Sequence, residues 1–134
     1  MFLHGSISCA QAQGPRRRQE DRLVHIPFRS ARNGRGHLLG VMDGHAGEEV
    51  AEYCAQNIPR LFNPDARDIE QGLQTLVLQL DAGTCRASAG STLSLAHVNE
   101  SRGVVTLAVL GDSPIIVVDN AGGIHLSDEH NIRT

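Results

Sequence analysis

Residues 38–62 read LLGVMDGHAGEEVAEYCAQNIPRLF, and this stretch decides the fold. It begins with an apolar run typical of a buried strand, passes through Asp43-Gly44-His45, and continues in a helical pattern. A strand that ends in an acid, a glycine and a histidine places functional groups at the edge of a rigid element. A DGH triplet alone more often forms a turn with a solvated acid and a surface histidine. The flanking strand and helix patterns favour the functional interpretation here.

Two helices are predicted after this motif. Apolar residues spaced three or four apart indicate a helix over 47–61, which Pro59 should end or kink near Asn57. A second helix is predicted over 69–80, with Asp68 as its N-cap.

Strands are predicted on both sides of the helices. Before them, the patterns indicate strands at 2–9, 23–28 and 37–42, the last two joined by a hairpin turn at Asn33-Gly34. After them, the patterns indicate strands at 90–98, 104–111, 114–119 and from Ile124 onward. Because strands and helices are partly segregated along the chain, the sequence predicts the α+β class with antiparallel strands.

Composition limits the remaining classes. The 134 residues predict a single domain, and the formal net charge of −3 gives no reason to expect a nucleic-acid partner. No apolar run reaches the length of a membrane span, and the first ten residues are too polar for a signal peptide. The three cysteines are widely spaced and form no CxxC pair, so we expect reduced thiols in a cytosolic protein.

Charged residues cluster at 16–21, which read RRRQED. A basic triplet or an acidic pair alone is usually a solvated loop. Together they suggest a phosphate site, because arginine grips phosphate bidentately and nearby carboxylates hold metal-bound waters.

Two further carboxylates follow predicted strands. Asp43 is a hard ligand suited to Mg²⁺ or Mn²⁺, the Gly44 carbonyl could add a ligand, and His45 could protonate a leaving oxygen. Asp112 lies in Gly111-Asp112-Ser113, which taken alone is more typical of a β-turn than of a functional site, although it places a third carboxylate at a strand end.

These motifs together resemble one known family. GPRRRQED (14–21), GVMDGHAG (40–47), GSTLSLAHV (90–98), AVLGDS (108–113) and HLSDEH (125–130) are similar, in this order, to the motifs of the PPM (type-2C) metal-dependent serine/threonine protein phosphatases. The resemblance covers nearly the whole chain. It implies a role for seven residues: phosphate binding for Arg16, metal-bound waters for Glu20 and Asp21, metal bridging for Asp43, a carbonyl ligand from Gly44, general-acid catalysis for His45 and an additional metal site for Asp112.

The fold that the resemblance implies is a four-layer α-β-β-α sandwich, of which residues 1–134 form the N-terminal part. The family's domain continues past its HLSDEH-like segment and supplies two more metal-binding aspartates, whereas this chain stops at Thr134. Pro114 stands where an arginine is common, and Glu129 stands where an aspartate is usual.

The resemblance implies hydrolysis of phosphoserine and phosphothreonine by a metal-activated water, with two or more Mg²⁺ or Mn²⁺ ions in the complete domain. We expect little activity from this chain alone, because a two-metal site that lacks two carboxylates cannot neutralise both ions. The alternatives are a non-catalytic phosphatase-like binding or regulatory module, and an unrelated α+β domain.

The expected partner is a phosphorylated protein substrate, with no nucleic acid and no membrane. Strands without their later neighbours leave apolar edges, so association through uncovered sheet edges is also expected. The expected location is the cytoplasm, with the nucleus as the alternative.

Overall fold

The computed structural model describes residues 6–15, 19–85, 87 and 90–127, together with the backbone of residues 132–133. Their helices and strands are, in chain order, β1 (Asp21–Ser30), β2 (Gly34–His45), α1 (Glu49–Leu61), α2 (Ile69–Thr84), β3 (Gly90–Ser91), β4 (Leu93–Asn99), β5 (Val104–Leu110), β6 (Ile116–Val118), β7 (Ile124–Leu126) and β8 (Ile132–Arg133).

The main sheet has the strand order β1-β2-β4-β5-β8, with the short β3 also paired to β2. Every neighbouring pair is antiparallel. Strands β6 and β7 form a separate two-stranded sheet. The predicted α+β class with antiparallel sheets is therefore confirmed.

The two faces of the main sheet differ in what covers them. Along β2, the side chains of Leu38 and Met42 are fully buried, whereas those of Val41, Asp43 and His45 are exposed. The buried face packs against both helices, in a core that includes these residues: Val24, Leu38, Met42, Val50, Ala51, Cys54, Ile58, Leu73, Leu76, Leu80, Leu93, Leu95 and Ala108. We call the opposite face, which carries Val41, Asp43 and His45, the outer face. The strand period of two thus sends the acid and the histidine away from the helices.

Helix α1 buries the apolar stripe that the spacing of Val50, Cys54 and Ile58 predicts. Its predicted end near Asn57, however, is wrong. The helix continues through Pro59 to Leu61. Proline removes only one helical hydrogen bond so close to the end, and the Phe62 amide closes the last turn by donating to the Ile58 carbonyl at 2.9 Å. Complete burial of Ile58 explains why tertiary packing overrides the breaker.

Helix α2 begins as predicted and ends later. Asp68 caps it by accepting a hydrogen bond from the Gln71 amide at 3.1 Å. The helix reaches Thr84, four residues past the predicted end, and the Thr84 hydroxyl donates to the Leu80 carbonyl.

The strand predicted at 2–9 is wrong for residues 6–9, which are exposed and belong to no strand; residues 2–5 lie outside the described residues. Period-two alternation is not sufficient there, because a strand also needs a neighbour to pair with and an apolar surface to cover. The strand predicted at 90–98 is divided at Thr92 into β3 and β4. The predicted hairpin turn at Asn33-Gly34 is confirmed, and Gly34 has a φ of +80°, which favours glycine.

His97 is the one buried histidine among the residues with described side chains. Its ring lies 4.8 Å from that of Phe28 and 6.0 Å from that of Phe62, between centroids. Its Nε2 atom has no hydrogen-bond partner among the described residues. Burial lowers the pKa of His97 below the ordinary value of 6.5, because the apolar surroundings disfavour the charged ring.

We expect the stability of the fold to fall as the pH drops below about 6.5, where unfolded His97 binds a proton that folded His97 rejects. The decrease in the free energy of unfolding ends once the pH has fallen below the lowered pKa of folded His97. It amounts to about 1.4 kcal/mol for each unit by which the pKa of His97 differs between the folded and unfolded states. His97→Leu should therefore reduce the pH dependence of the free energy of unfolding. Urea melts at pH 7.5 and 5 measure the difference.

Leu95→Ala is the control, because Leu95 is equally buried in the same strand and does not titrate. It should lower stability by about 2–5 kcal/mol at both pH values and leave their difference unchanged. A His97→Leu variant as acid-sensitive as the original chain would show that His97 does not cause the effect.

Candidate active site

Two carboxylates face each other across the first hairpin. Asp21 opens β1 and is paired directly with Asp43 of β2, so both side chains lie on the outer face. Like charges in this position destabilise a sheet. The Oδ1 atom of Asp21 is also buried and accepts no hydrogen bond from any described residue. Opposed carboxylates, one with an unsatisfied buried oxygen, fit a site for a divalent cation that prefers oxygen ligands.

Glu20 and Gly44 bring the neighbouring backbone to the same place. The Gly44 amide donates to the Glu20 carbonyl at 3.2 Å, and the Gly47 amide donates to Glu20 Oε2 at 3.4 Å. A Cβ atom on Gly44 would lie only 2.5 Å from the Glu20 carbonyl oxygen, so only glycine permits this approach. The chain then turns sharply into α1 through Ala46 and Gly47, whose φ values are +58° and +130°. The non-glycine Ala46 is a strained position of the kind that often occurs at functional sites.

Thr92 connects Asp43 to the turn that contains Asp112. The Asp43 amide donates to Thr92 Oγ1 at 3.1 Å, and the Thr92 amide donates to the Asp43 carbonyl at 3.0 Å. Thr92 Oγ1 also lies 3.1 Å from Ser113 Oγ. The 111–113 turn thus lies at the same edge of the sheet. Because β4 separates β5 from β2, however, its backbone lies two strand spacings, or about 10 Å, from that of Asp43.

His45 is exposed on the outer face and is paired with Gly90 of β3. Its ring lies against the Gly90 backbone, since a Cβ atom on Gly90 would be 2.1 Å from His45 Nε2. The absence of a side chain at Gly90 therefore makes room for the imidazole on the same face as Asp43.

The structure thus brings Glu20, Asp21, Asp43 and Gly44 together, with His45 two residues along the same strand. Asp112 lies at the same edge but farther away. Arg16 lies outside the described residues, as does Glu129. Within the described part of the chain, no three histidine, cysteine or acidic side chains are grouped so that they could hold one metal ion.

Comparison with known proteins places the chain in a family. The sequence profile described as Protein phosphatase 2C matches residues 6–134. The chain belongs to the protein phosphatase 2C family. It is 26% identical over 147 residues to Protein phosphatase 1L of Bos taurus, and 30% identical over 145 residues to Protein phosphatase fem-2 of Caenorhabditis elegans. These matches cover 96% and 93% of the chain, but only 40% and 31% of the two relatives.

Solved structures agree with this assignment. A C. elegans sex-determining protein superposes with a TM-score of 0.66 at 25% identity, covering 90% of this chain and 33% of that one. A bacterial serine phosphatase shares the fold, with a TM-score of 0.57 at 18% identity, covering 90% of this chain and 59% of that one. The resemblance to PPM phosphatases is therefore confirmed, and the predicted α+β fold class with antiparallel sheets agrees with the phosphatase 2C fold.

Sequence reasoning missed Arg22, which anchors the phosphatase helix α1 to β1. Its side chain points to the helix face and forms ion pairs with Glu52 and, at 3.4 Å, with Glu48. The hydrogen bond from Arg22 lowers the pKa of Glu52, and the same bond raises the pKa of Arg22. The turn at residues 46–48, which follows His45, is therefore held in place by Arg22 from the helix side of the sheet. Glu48 and Glu52 are four residues apart, and this helical spacing could have indicated that both pair with one basic side chain.

Thr92 and Gly90 were also missed. Both belong to the GST segment, which sequence reasoning interpreted as the start of a strand and as part of a phosphatase-like motif without giving either residue a role. Their contacts depend on how β3 pairs with β2, and local patterns do not specify that pairing.

Proposed function

We propose that the chain is the N-terminal part of the catalytic domain of a metal-dependent protein serine/threonine phosphatase. The observation that carries the proposal is the opposed Asp21–Asp43 pair with the unsatisfied buried oxygen of Asp21. Membership of the phosphatase 2C family supplies the reaction class. The chain spans 40% of the length of Protein phosphatase 1L and 31% of that of Protein phosphatase fem-2.

The proposed metal ions are Mg²⁺ or Mn²⁺, since the available donors are hard oxygens. Asp43 and the Gly44 carbonyl would bind the metal directly, and Glu20 and Asp21 would hold its waters. Asp112 would contribute to an additional ion. Such ions, when bound, supply charge neutralisation and Lewis-acid activation for the attack of water on a phosphate ester.

The chain's other residues would handle the substrate. Arg16 would grip the phosphate of phosphoserine or phosphothreonine through its planar guanidinium. His45, which lies on the outer face beside Asp43, would donate a proton to the departing serine or threonine oxygen. The rigid pairing of β2 with β1 and β3 would keep these groups in place.

A non-catalytic phosphatase-like binding or regulatory module is the second candidate. In a complete domain that contains this chain, release of phosphate from a phosphopeptide with Mn²⁺, abolished by a chelator, would support the enzyme. Binding of the phosphopeptide without release of phosphate would support the module.

We also propose that the chain associates through uncovered sheet edges, and that those of the two-stranded β6–β7 sheet contribute to this. One face of this hairpin carries four apolar side chains that are each at least 60% exposed: Ile116, Val118, Ile124 and Leu126. Exposed apolar surface of this kind favours association.

For location, we propose the cytoplasm, with the nucleus as the alternative. Cys9, Cys54 and Cys85 are free thiols, as is usual in reducing compartments. Burial raises the pKa of Cys54 to about 11, which keeps that thiol unreactive.

In the described part of the chain, no helix is both long and apolar enough to span a bilayer.

Asp21→Asn tests the proposed site through stability as well as activity. Without metal, the variant should be more stable by about 0.2–1 kcal/mol, because it removes one of two opposed like charges. With Mn²⁺, the original chain should gain melting temperature and the variant should gain little, because the cation loses a carboxylate. Thermal melts in chelator and in Mn²⁺ give both values.

Asp81→Asn is the matched control, since Asp81 is an exposed acid on α2, remote from the hairpin. It should leave both melting temperatures unchanged. Equal Mn²⁺ stabilisation of the original chain and of Asp21→Asn would remove Asp21 from the metal site.

A further inference from the structure

A pair of histidines lies on the outer face, away from the acidic edge. His25 of β1 is opposite Leu39 and His37 of β2 is opposite Pro27, so the two histidines are diagonal neighbours on one face. His25 Nε2 lies 2.9 Å from His37 Nδ1, and the ring centroids are 5.1 Å apart. Two ring nitrogens therefore converge on one point.

Glu100 fixes the chemical state of this pair. Its Oε1 atom lies 2.6 Å from His37 Nε2, and its side chain is only 16% exposed. Its backbone amide donates to the Arg35 carbonyl at 2.9 Å, which ties the turn after β4 to β2. A carboxylate at Nε2 keeps the proton on that nitrogen, so the lone pair of His37 Nδ1 is directed at His25.

We propose that His25 Nε2 and His37 Nδ1 bind a transition-metal ion of the Zn²⁺, Ni²⁺ or Cu²⁺ class, with Glu100 orienting His37. Two nitrogens on a tetrahedral centre with bonds of 2.0–2.1 Å are about 3.3 Å apart. The rings therefore need to separate by a few tenths of an ångström and to tilt so that both lone pairs point at the ion instead of at each other. Imidazole is the preferred ligand of these ions. A carboxylate that accepts from the second nitrogen of a metal-binding histidine is a common arrangement that raises metal affinity.

Binding needs no redox step and conserves protons. In the metal-free pair, the hydrogen on His25 Nε2 points to His37 Nδ1; on binding it moves to His25 Nδ1 through exchange with water, which leaves Nε2 free to coordinate. The two protein ligands leave the other positions of the ion to water.

This site is separate from the proposed phosphatase centre. His37 and Asp43 are six residues apart along β2, which corresponds to about 20 Å. The ligands also differ, since the acidic edge offers hard oxygens that suit Mg²⁺ or Mn²⁺. The inference therefore stands whether or not the chain takes part in phosphate hydrolysis.

Calorimetry with Ni²⁺ tests the proposal, using the chain with Cys9→Ser and Cys85→Ser so that the two exposed thiols do not compete. Excess Mg²⁺ occupies the acidic edge. We expect binding that weakens at least tenfold in His25→Ala and in His37→Ala, and about 10–100-fold in Glu100→Gln.

His125→Ala is the matched control. His125 is an exposed histidine that lies 3.0 Å from a carboxylate, Asp119, but it is on the separate β6–β7 hairpin. The His125→Ala variant should bind Ni²⁺ with the original affinity. If His37→Ala fails to fold, His25→Ala decides the question, because His25 is exposed on the edge strand β1. Nickel binding that is unchanged in His25→Ala, or lost equally in His125→Ala, would overturn the proposal.

Discussion

Asp43→Asn is expected to abolish catalysis when this chain forms part of a complete phosphatase domain. The loss of turnover should exceed the roughly 10²–10⁴-fold that a general acid contributes. Asparagine keeps the size of the side chain, and the contacts of Asp43 with Thr92 that hold this edge use the Asp43 backbone. The substitution therefore removes the negative charge opposite Asp21 with little change of shape. Without that charge, the proposed divalent cation would lose a carboxylate ligand, and with it the activation of water that the cation would supply.

Two measurements check this result. Calorimetry of the chain with Mn²⁺ should show weak binding at one site at most, lost in Asp43→Asn. Initial rates on a phosphopeptide and on an aryl phosphate, at saturating Mn²⁺, should both fall. Asp81→Asn on helix α2 is the control and should keep the original rates. Near-normal activity of Asp43→Asn would refute the assignment of the 43–45 motif to metal-dependent hydrolysis.

His45→Gln is expected to slow hydrolysis of a phosphopeptide by about 10²–10⁴-fold and that of an activated aryl phosphate much less. A serine or threonine alkoxide needs a proton as it departs, whereas an acidic phenolate leaves without one. The contrast between the two substrates separates a proton donor from a residue that merely supports the fold. Equal losses on both substrates would make His45 structural.

Gly90→Ala provides a second route to the same contrast. The added Cβ would lie 2.1 Å from His45 Nε2, so the ring must move while its chemistry is unchanged. The phosphopeptide rate should fall more than the aryl phosphate rate, as in His45→Gln. The control is Ala96→Gly, in the neighbouring strand β4. Gly122→Ala would not serve, because Gly122 has a φ of +84°, which strains an alanine.

The local elements follow from the sequence wherever one pattern dominates. The stripe on α1, the Asp68 cap and the Asn33-Gly34 turn depend on neighbours within a few residues, and the structure confirms all three. The order of Asp43, Gly44 and His45 after an apolar strand also depends only on local sequence. Period-two alternation then places Asp43 and His45 on one face.

Patterns failed where a partner far along the chain decides the outcome. Residues 6–9 alternate but belong to no strand, and Pro59 does not end α1, because burial of Ile58 holds the last turn. Propensities describe one segment, whereas strand pairing and helix packing depend on the surfaces that segment meets.

The site shows the same division. The sequence by itself determined which chemical groups are present: the acids, the glycines and the histidine, in the order of a phosphatase 2C domain. Only the tertiary structure decided that Asp21 opposes Asp43, that Thr92 connects Asp43 to Ser113, and that His25 meets His37. The physical reason is register. A shift of one residue between β1 and β2 would turn Asp21 and Asp43 to opposite faces, and His25 and His37 likewise. Burial of Val24, Leu38 and Met42 against the helices selects the register that keeps each pair on one face.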